Sequence, residues 1–219
     1  DGTGGVRHAS FFQGWLKVYD EDGFCGQGPA SRIMVDFFVP RLLEQGGKTN
    51  SEWTHYFWWE IRNFGYQSPY VAEMFNLDWI LLDLLANRAQ KPLHRFLGAT
   101  KDWASVYKGG GSVLLSDEAL LDDLLRFKSE GFKITKFKIG GNGNDWSADV
   151  RRLEKARLAL GDDFGIAVDA NQAWDADTAF EFAKAAAPYN VEWFEEPVHA
   201  FDMEALRSLR DQMDNAGIS

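Results

Sequence analysis

Two rhythms of apolar and polar positions divide the 219-residue chain. Phe11 to Tyr19 is aromatic and β-branched and runs into Asp20-Glu21-Asp22-Gly23, a turn signal, before a second short run at Phe24 to Gly28. That order predicts a β-hairpin. From Ser31 to Ala99 the apolar residues recur at helical spacing, with Ile33, Phe37, Phe38 and Leu42 on one stripe and Leu77, Leu81, Leu84 and Leu85 on another. Beyond Gly98 the pattern becomes regular. Trp103 to Tyr107 reads as a strand, and Ser116-Asp117-Glu118 caps a helix to about Glu130 that Gly131 stops. Phe132 to Ile139, Phe164 to Asp169 and Val191 to Glu195 read as strands. Helices follow at Trp146 to Leu160, ended by Gly161, at Asp175 to Ala187, closed by Pro188, and at Asp202 to about Met213. Four β-α units at a spacing of roughly 30 residues predict a parallel sheet wrapped by helices, either an open doubly wound sheet or a (β/α) barrel.

Ten aromatics lie between Trp53 and Trp79: Trp53, Tyr56, Phe57, Trp58, Trp59, Phe64, Tyr66, Tyr70, Phe75 and Trp79. Aromatic stripes at helical spacing usually form a core, and most of these are expected to do so. The loop-like stretch Asn63 to Pro69 is the candidate for a substrate-facing segment. Gly109-Gly110-Gly111 and Gly140 to Asn144 lack the Lys-Ser/Thr and the spacing of phosphate loops and read as loops after strands.

Composition narrows the class. Hydrophobic residues at 45% and charged residues at 26% are those of a globular chain. The longest apolar stretch, around Trp79 to Ala86, is broken by Asp83 and falls short of the roughly 18 to 20 residues a membrane helix needs. A net charge of −10 repels phosphate backbones and anionic lipid, so neither nucleic acid nor membrane is an expected partner. The single cysteine, Cys25, excludes an internal disulfide and reads as a small packing residue in the hairpin.

Strand alternation then sorts the charges. In Lys133 to Ile139, Lys136 and Lys138 lie about 6.6 Å apart on one face, with Phe137 and Ile139 on the other. The apolar face packs on helices, which turns the lysines to the opposite side, and two cations so close are expected to depress each other's pKa, as a base requires. In Ile166 to Asn171, Asp169 and Asn171 share a face at the carboxyl end of the strand, and Glu195 reaches the corresponding level one strand later. Carboxylates at the carboxyl ends of adjacent parallel strands mark barrel active sites. Hard oxygen ligands suggest Mg²⁺, which would neutralise a substrate carboxylate and its developing enediolate while a lysine removes the adjacent proton.

Lys136-Phe137-Lys138, Asp169-Ala170-Asn171-Gln172-Ala173-Trp174-Asp175 and Trp193-Phe194-Glu195-Glu196-Pro197 together resemble the enolase superfamily, in the branch of mandelate racemase, muconate lactonizing enzyme and the acid sugar dehydratases. The hairpin with Asp22-Gly23 and the helical stretch from Asp78 to Gly98 look like that family's capping domain. The resemblance implies an α/β fold: an α+β capping domain over residues 1–99, its first strand missing, then the amino-terminal half of a (β/α)8 TIM-type barrel over 100–219, with about four β/α units. It implies Asp169 and Glu195 as metal ligands, Lys138 as the general base, Lys136 as the neighbour that tunes it and touches the substrate carboxylate, and Asn171 as a site-lining residue. The implied cofactor is Mg²⁺, a base-and-Mg²⁺ mechanism being a known trait of this superfamily. The implied reaction is removal of the proton α to a carboxylate, giving a metal-stabilised enediolate, with loss of water from a sugar acid as the leading outcome.

Glu-Glu-Pro, in place of the Glu-Gln-Pro commoner in the muconate branch, tilts the resemblance towards the mandelate racemase-like side. Racemisation, epimerisation or cycloisomerisation are the alternative outcomes, and a non-catalytic half-barrel that needs a partner chain is the alternative of a different kind. The third carboxylate, the His-Asp pair and the closing half of the barrel have no counterpart in the sequence, and none of His8, His55, His94 or His199 falls where the family's catalytic histidine belongs. The chain is therefore expected to be incomplete at both ends, with about 150 further residues to come. A small-molecule carboxylate as substrate, a homo-oligomeric state and a cytoplasmic location complete the expectations.

Overall fold

The computed structural model describes residues 13–218, so Phe11 and Phe12 of the expected first strand, and His8, lie outside the described residues. The chain divides into two compact units between Ala104 and Ser105.

In the first unit, strands β1 (Gln13–Tyr19) and β2 (Cys25–Ser31) pair antiparallel. Asp20 closes the turn between them, its Oδ1 accepting the backbone N–H groups of Asp22 and Phe24, while Gly23 takes φ +84°. A π-helical turn, Met34–Phe38, leads into α1 (Val39–Gln45), α2 (Asn50–Ile61), α3 (Pro69–Arg88) and the short α4 (Leu93–Phe96). Thr49 and Glu52 form a reciprocal capping box at the start of α2, and Ser68 caps α3 just before its leading proline. Helix α3 lies so close on β2 that a Cβ at Gly26 would collide with Ile80 and Leu84. Two acids of α3 bond the strand directly: Glu73 Oε2 accepts from Ser31 N at 3.1 Å and Asp83 Oδ2 from Gln27 N at 3.0 Å. Met34, Phe38, Phe57, Leu77 and Ile80 fill the core beneath.

The aromatic cluster is less buried than its spacing suggested. Trp53 and Phe57 are core, but Trp59, Phe64, Tyr66, Phe75 and Trp79 are exposed. Along α3, Phe75 and Trp79 sit one turn apart on the side opposite Met74, Leu77 and Ile80, so helical geometry itself directs them outward. Residues 62–68 form a loop between α2 and α3, as the sequence predicts.

The second unit alternates β3 (Lys108–Gly110), α5 (Asp117–Ser129), β4 (Ile134–Lys138), α6 (Ser147–Leu160), β5 (Gly165–Asp169), α7 (Ala176–Ala186), β6 (Val191–Glu195) and α8 (Met203–Ala216). The strands are parallel in the order β3-β4-β5-β6, the sheet of a partial TIM-type barrel. Oxygen caps start three of the helices: Ser116 accepts from Ala119 N, Asp175 from Thr178 N and Asp202 from Ala205 N. Phe137, Ile139, Ile166 and Val168 pack against the helices, and β5 is buried along its whole length. The sheet curls: Tyr107, just before β3, meets Trp193 of β6 edge to face at 5.0 Å, although in a flat sheet strands three places apart stand about 14 Å from each other.

One strand is displaced from its expected place. Trp103 to Tyr107 is irregular, and it is Lys108 to Gly110 that pairs with Thr135 to Phe137. Gly109 and Gly110, read from sequence as a loop, are thus strand residues. Helix α5 explains Gly110, because a Cβ there would press to 2.8 Å from the Phe127 ring. Gly109 faces the other way, beside Lys136, where a Cβ would meet nothing within 4 Å.

At the amino end of the sheet Arg157 is the tie. Buried in α6, its guanidinium donates to the carbonyls of Gly161, Phe164, Tyr189 and Asn190, joining the end of its own helix to the starts of β5 and β6. No helix among the described residues is long and apolar enough to cross a membrane. Arg157→Ala strands these carbonyls and is expected to lower the free energy of unfolding by about 3 kcal/mol, read from urea denaturation, with Arg157→Lys recovering only part because an ammonium lacks the fan of donors.

Candidate active site at the carboxyl ends of the strands

Lys138, Asp169 and Glu195 are each the last residue of their strands, and the register sets Lys138 beside Asp169 and Asp169 beside Glu195. A bulge in β6, where three steps from Val191 to Phe194 match two from Ile166 to Val168, brings Trp193 and Glu195 onto the same face as the lysines. The side chains converge. Lys136 Nζ lies 2.8 Å from both Asp169 Oδ2 and Glu195 Oε1, and Lys138 Nζ lies 2.5 Å from the same Asp169 oxygen. Asp169 Oδ1 takes the backbone N–H of Asn171 at 2.9 Å, so a carboxylate only 1% exposed has all its charge matched.

Burial opposes the charge on Asp169, but the hydrogen bonds from Lys136 and Lys138, with that of Asn171, outweigh it and hold the carboxyl below its usual range. Burial likewise works against the Lys136 ammonium, yet Asp169 and Glu195 outweigh it and raise its pKa well above that of an ordinary lysine. For Lys136 this corrects the expectation of mutual depression between neighbouring lysines: each carboxylate is in direct contact with the ammonium, and attraction at that range exceeds the repulsion from Lys138.

The structure brings together four of the five residues singled out from sequence. Asn171 is the exception. Its backbone supports Asp169, but its side chain turns aside and donates to Glu196 Oε2 at 3.3 Å. Asn171, Gln172 and Glu196 all take left-handed backbone angles, with φ of 46°, 64° and 44°. These angles let the two loops interlock: Gln172 N donates to Glu196 O at 2.8 Å, and Ala200 N donates to Gln172 Oε1 at 3.2 Å. Trp174 donates its indole N–H to Gly143 O at 2.7 Å, tying the loop after β5 to the loop after β4. Below, Asp149 Oδ2 accepts Gly140 N at 3.0 Å, and burial holds the Asp149 carboxyl above its usual range. Trp193 donates to Glu195 Oε2 at 3.0 Å.

Two carboxylates that share one ammonium present hard, negatively charged oxygens to a single point. That donor set fits Mg²⁺, which takes one or two carboxylates and fills its shell with water or substrate oxygens. Among the described residues no group of three or more His, Cys, Asp or Glu side chains is placed to hold a metal ion.

Residues 119–218 match the family model described as Enolase C-terminal domain-like. Residues 119–218 thus carry the carboxyl-terminal domain pattern of the enolase superfamily, and the relatives and solved structures similar to the chain are enzymes of that kind. It is 33% identical over 157 residues to L-talarate/galactarate dehydratase of Salmonella typhimurium, covering 71% of this chain and 39% of that protein. It is 34% identical over 199 residues to 3,6-anhydro-alpha-L-galactonate cycloisomerase of Streptomyces coelicolor, covering 86% of this chain and 54% of that one. A racemase from Streptomyces coelicolor A3(2), crystallised with bound magnesium, superposes with a TM-score of 0.84 at 28% identity over 92% of this chain and 59% of its own. The chain thus spans about two-fifths to three-fifths of the length of these enolase-superfamily proteins.

Gln172, Trp174, Trp193 and Glu196 were not assigned roles from sequence. Trp193 was within reach, since it lies two residues from Glu195 and so shares its face. The loop contacts of Gln172 and Glu196 depend on left-handed backbone at non-glycine residues, which leaves no periodic trace. Because the Lys136 ammonium lies between the two carboxylates, Lys136→Met is expected to tighten Mn²⁺ binding at least about tenfold in calorimetric titration, removal of one unit charge about 4 Å away being worth several kcal/mol.

Proposed function

We propose that this chain carries the metal-binding and base-bearing strands of an enzyme that removes the proton α to a carboxylate of a sugar acid, with dehydration as the outcome. The observation that supports it most is the convergence of Lys136 and Lys138 on Asp169, with Glu195 within reach of Lys136, at one level of a parallel sheet. Mg²⁺ is the proposed cofactor, held by Asp169 and Glu195, and when bound it supplies positive charge opposite the substrate carboxylate.

Lys136, held charged by its neighbours, offers a second cation to that carboxylate. Lys138, the outermost residue of its strand, is the base, its Nζ placed at the carboxyl end of the sheet to accept the α-proton. The loops braced through Gln172, Trp174 and Glu196 keep the carboxylates at fixed height during that transfer. An anionic substrate meets a net charge of −10, so recognition rests on these two local cations.

The names of the relatives divide among dehydratase, cycloisomerase and racemase. Each outcome can begin with the same proton removal. Dehydration is favoured by the likeness to the talarate/galactarate enzyme together with the Asp169-to-Asp175 string. In D₂O with Mg²⁺ and a panel of sugar acids, proton NMR is expected to show water loss from one of them, and Lys138→Ala to slow it at least about 100-fold. Deuterium entering unreacted substrate without water loss identifies a racemase or epimerase, and an unchanged rate in Lys138→Ala removes Lys138 as the base.

A further inference from the structure

We infer that Trp193 is the positioning residue that aims the Glu195 carboxylate at the metal. Glu195 has two oxygens with different partners. Oε2 accepts the Trp193 indole N–H at 3.0 Å, and Oε1 faces the Lys136 ammonium at 2.8 Å. The side chain of Glu195 is about one-third exposed, so burial alone does not fix it. The indole does: it stands two residues back on the same face of β6 and is itself held edge to face by Tyr107 at 5.0 Å. A donor locked to one oxygen sets the plane of the carboxylate and turns the other towards the point where Lys136 and Asp169 meet, the way outer groups commonly orient metal ligands. Asp169 receives the equivalent support from the backbone of Asn171, whereas Glu195 depends on a side chain.

The inference rests on the reading of Glu195 as a ligand, and the experiment separates the two. Mg²⁺ and Mn²⁺ affinities are measured by calorimetry for the unaltered chain, Trp193→Phe and Glu195→Gln. Phenylalanine keeps a ring against Tyr107 and deletes the donor. Trp193→Phe is expected to weaken both metals at least about tenfold with an unchanged urea midpoint. Equal affinity in Trp193→Phe overturns the assignment of Trp193. Unchanged affinity in Glu195→Gln overturns the ligand reading itself, and Trp193 falls with it.

A measurement on the unaltered protein guards against a misfolded variant. In proton–nitrogen spectra the indole resonance lost in Trp193→Phe is that of Trp193. It is expected to exchange with solvent more slowly than the exposed Trp79 indole and to stay protected when Mg²⁺ is added. Exchange as fast as that of Trp79 overturns the proposal.

Discussion

A carboxylate that is almost wholly shut away from water must find its counter-charge inside the protein, and Asp169 organises the second unit around that need. Two ammonium groups and a backbone N–H supply it. Their convergence requires that β4, β5 and β6 end at one level, which the register provides, and that β6 gain an extra residue so that Glu195 faces the same way. Helices capped by side-chain oxygens and packed on Phe137, Ile166 and Val168 hold the strands at that level. The cluster is thus both a demand on the fold and a product of it.

The two ends of the sheet solve different problems. At the amino end a single guanidinium gathers carbonyls from three segments and ties them together. At the carboxyl end the bracing is divided among Asn171, Gln172, Trp174 and Glu196, residues belonging to the same short motifs that supply the charged groups. The charged residues there are held by loops that hold one another, and the left-handed angles of Asn171, Gln172 and Glu196 are tolerated because those contacts fix them.

Much of this was legible in the sequence. Alternation placed Lys136 and Lys138 together and opposite Phe137, and the β-α rhythm located three of the four strands and all four helices of the sheet unit to within a few residues. Three features escaped. The first sheet strand was read at Trp103–Tyr107, whereas the residues that pair are Lys108, Gly109 and Gly110, the last kept bare by the closeness of Phe127. The aromatics of α2 and α3 were expected mostly in a core, but spacing reports which residues share a side and not whether that side is covered. The direction of the Lys136 pKa shift was misjudged because local sequence reveals the neighbouring lysine and not how near the carboxylates of two other strands would come.

Gly109 carries a different kind of message from Gly110. No neighbour forbids a side chain there, yet the position beside Lys136 stays bare. The consequence is a gap in the lining at that level of the sheet: the Lys136 ammonium has the Tyr107 ring 5.9 Å away on the β3 side, and next to that ring the strand contributes backbone alone. Beside a cluster of tightly matched charges, the smallest residue on the neighbouring strand leaves a flank that no side chain of its own fills.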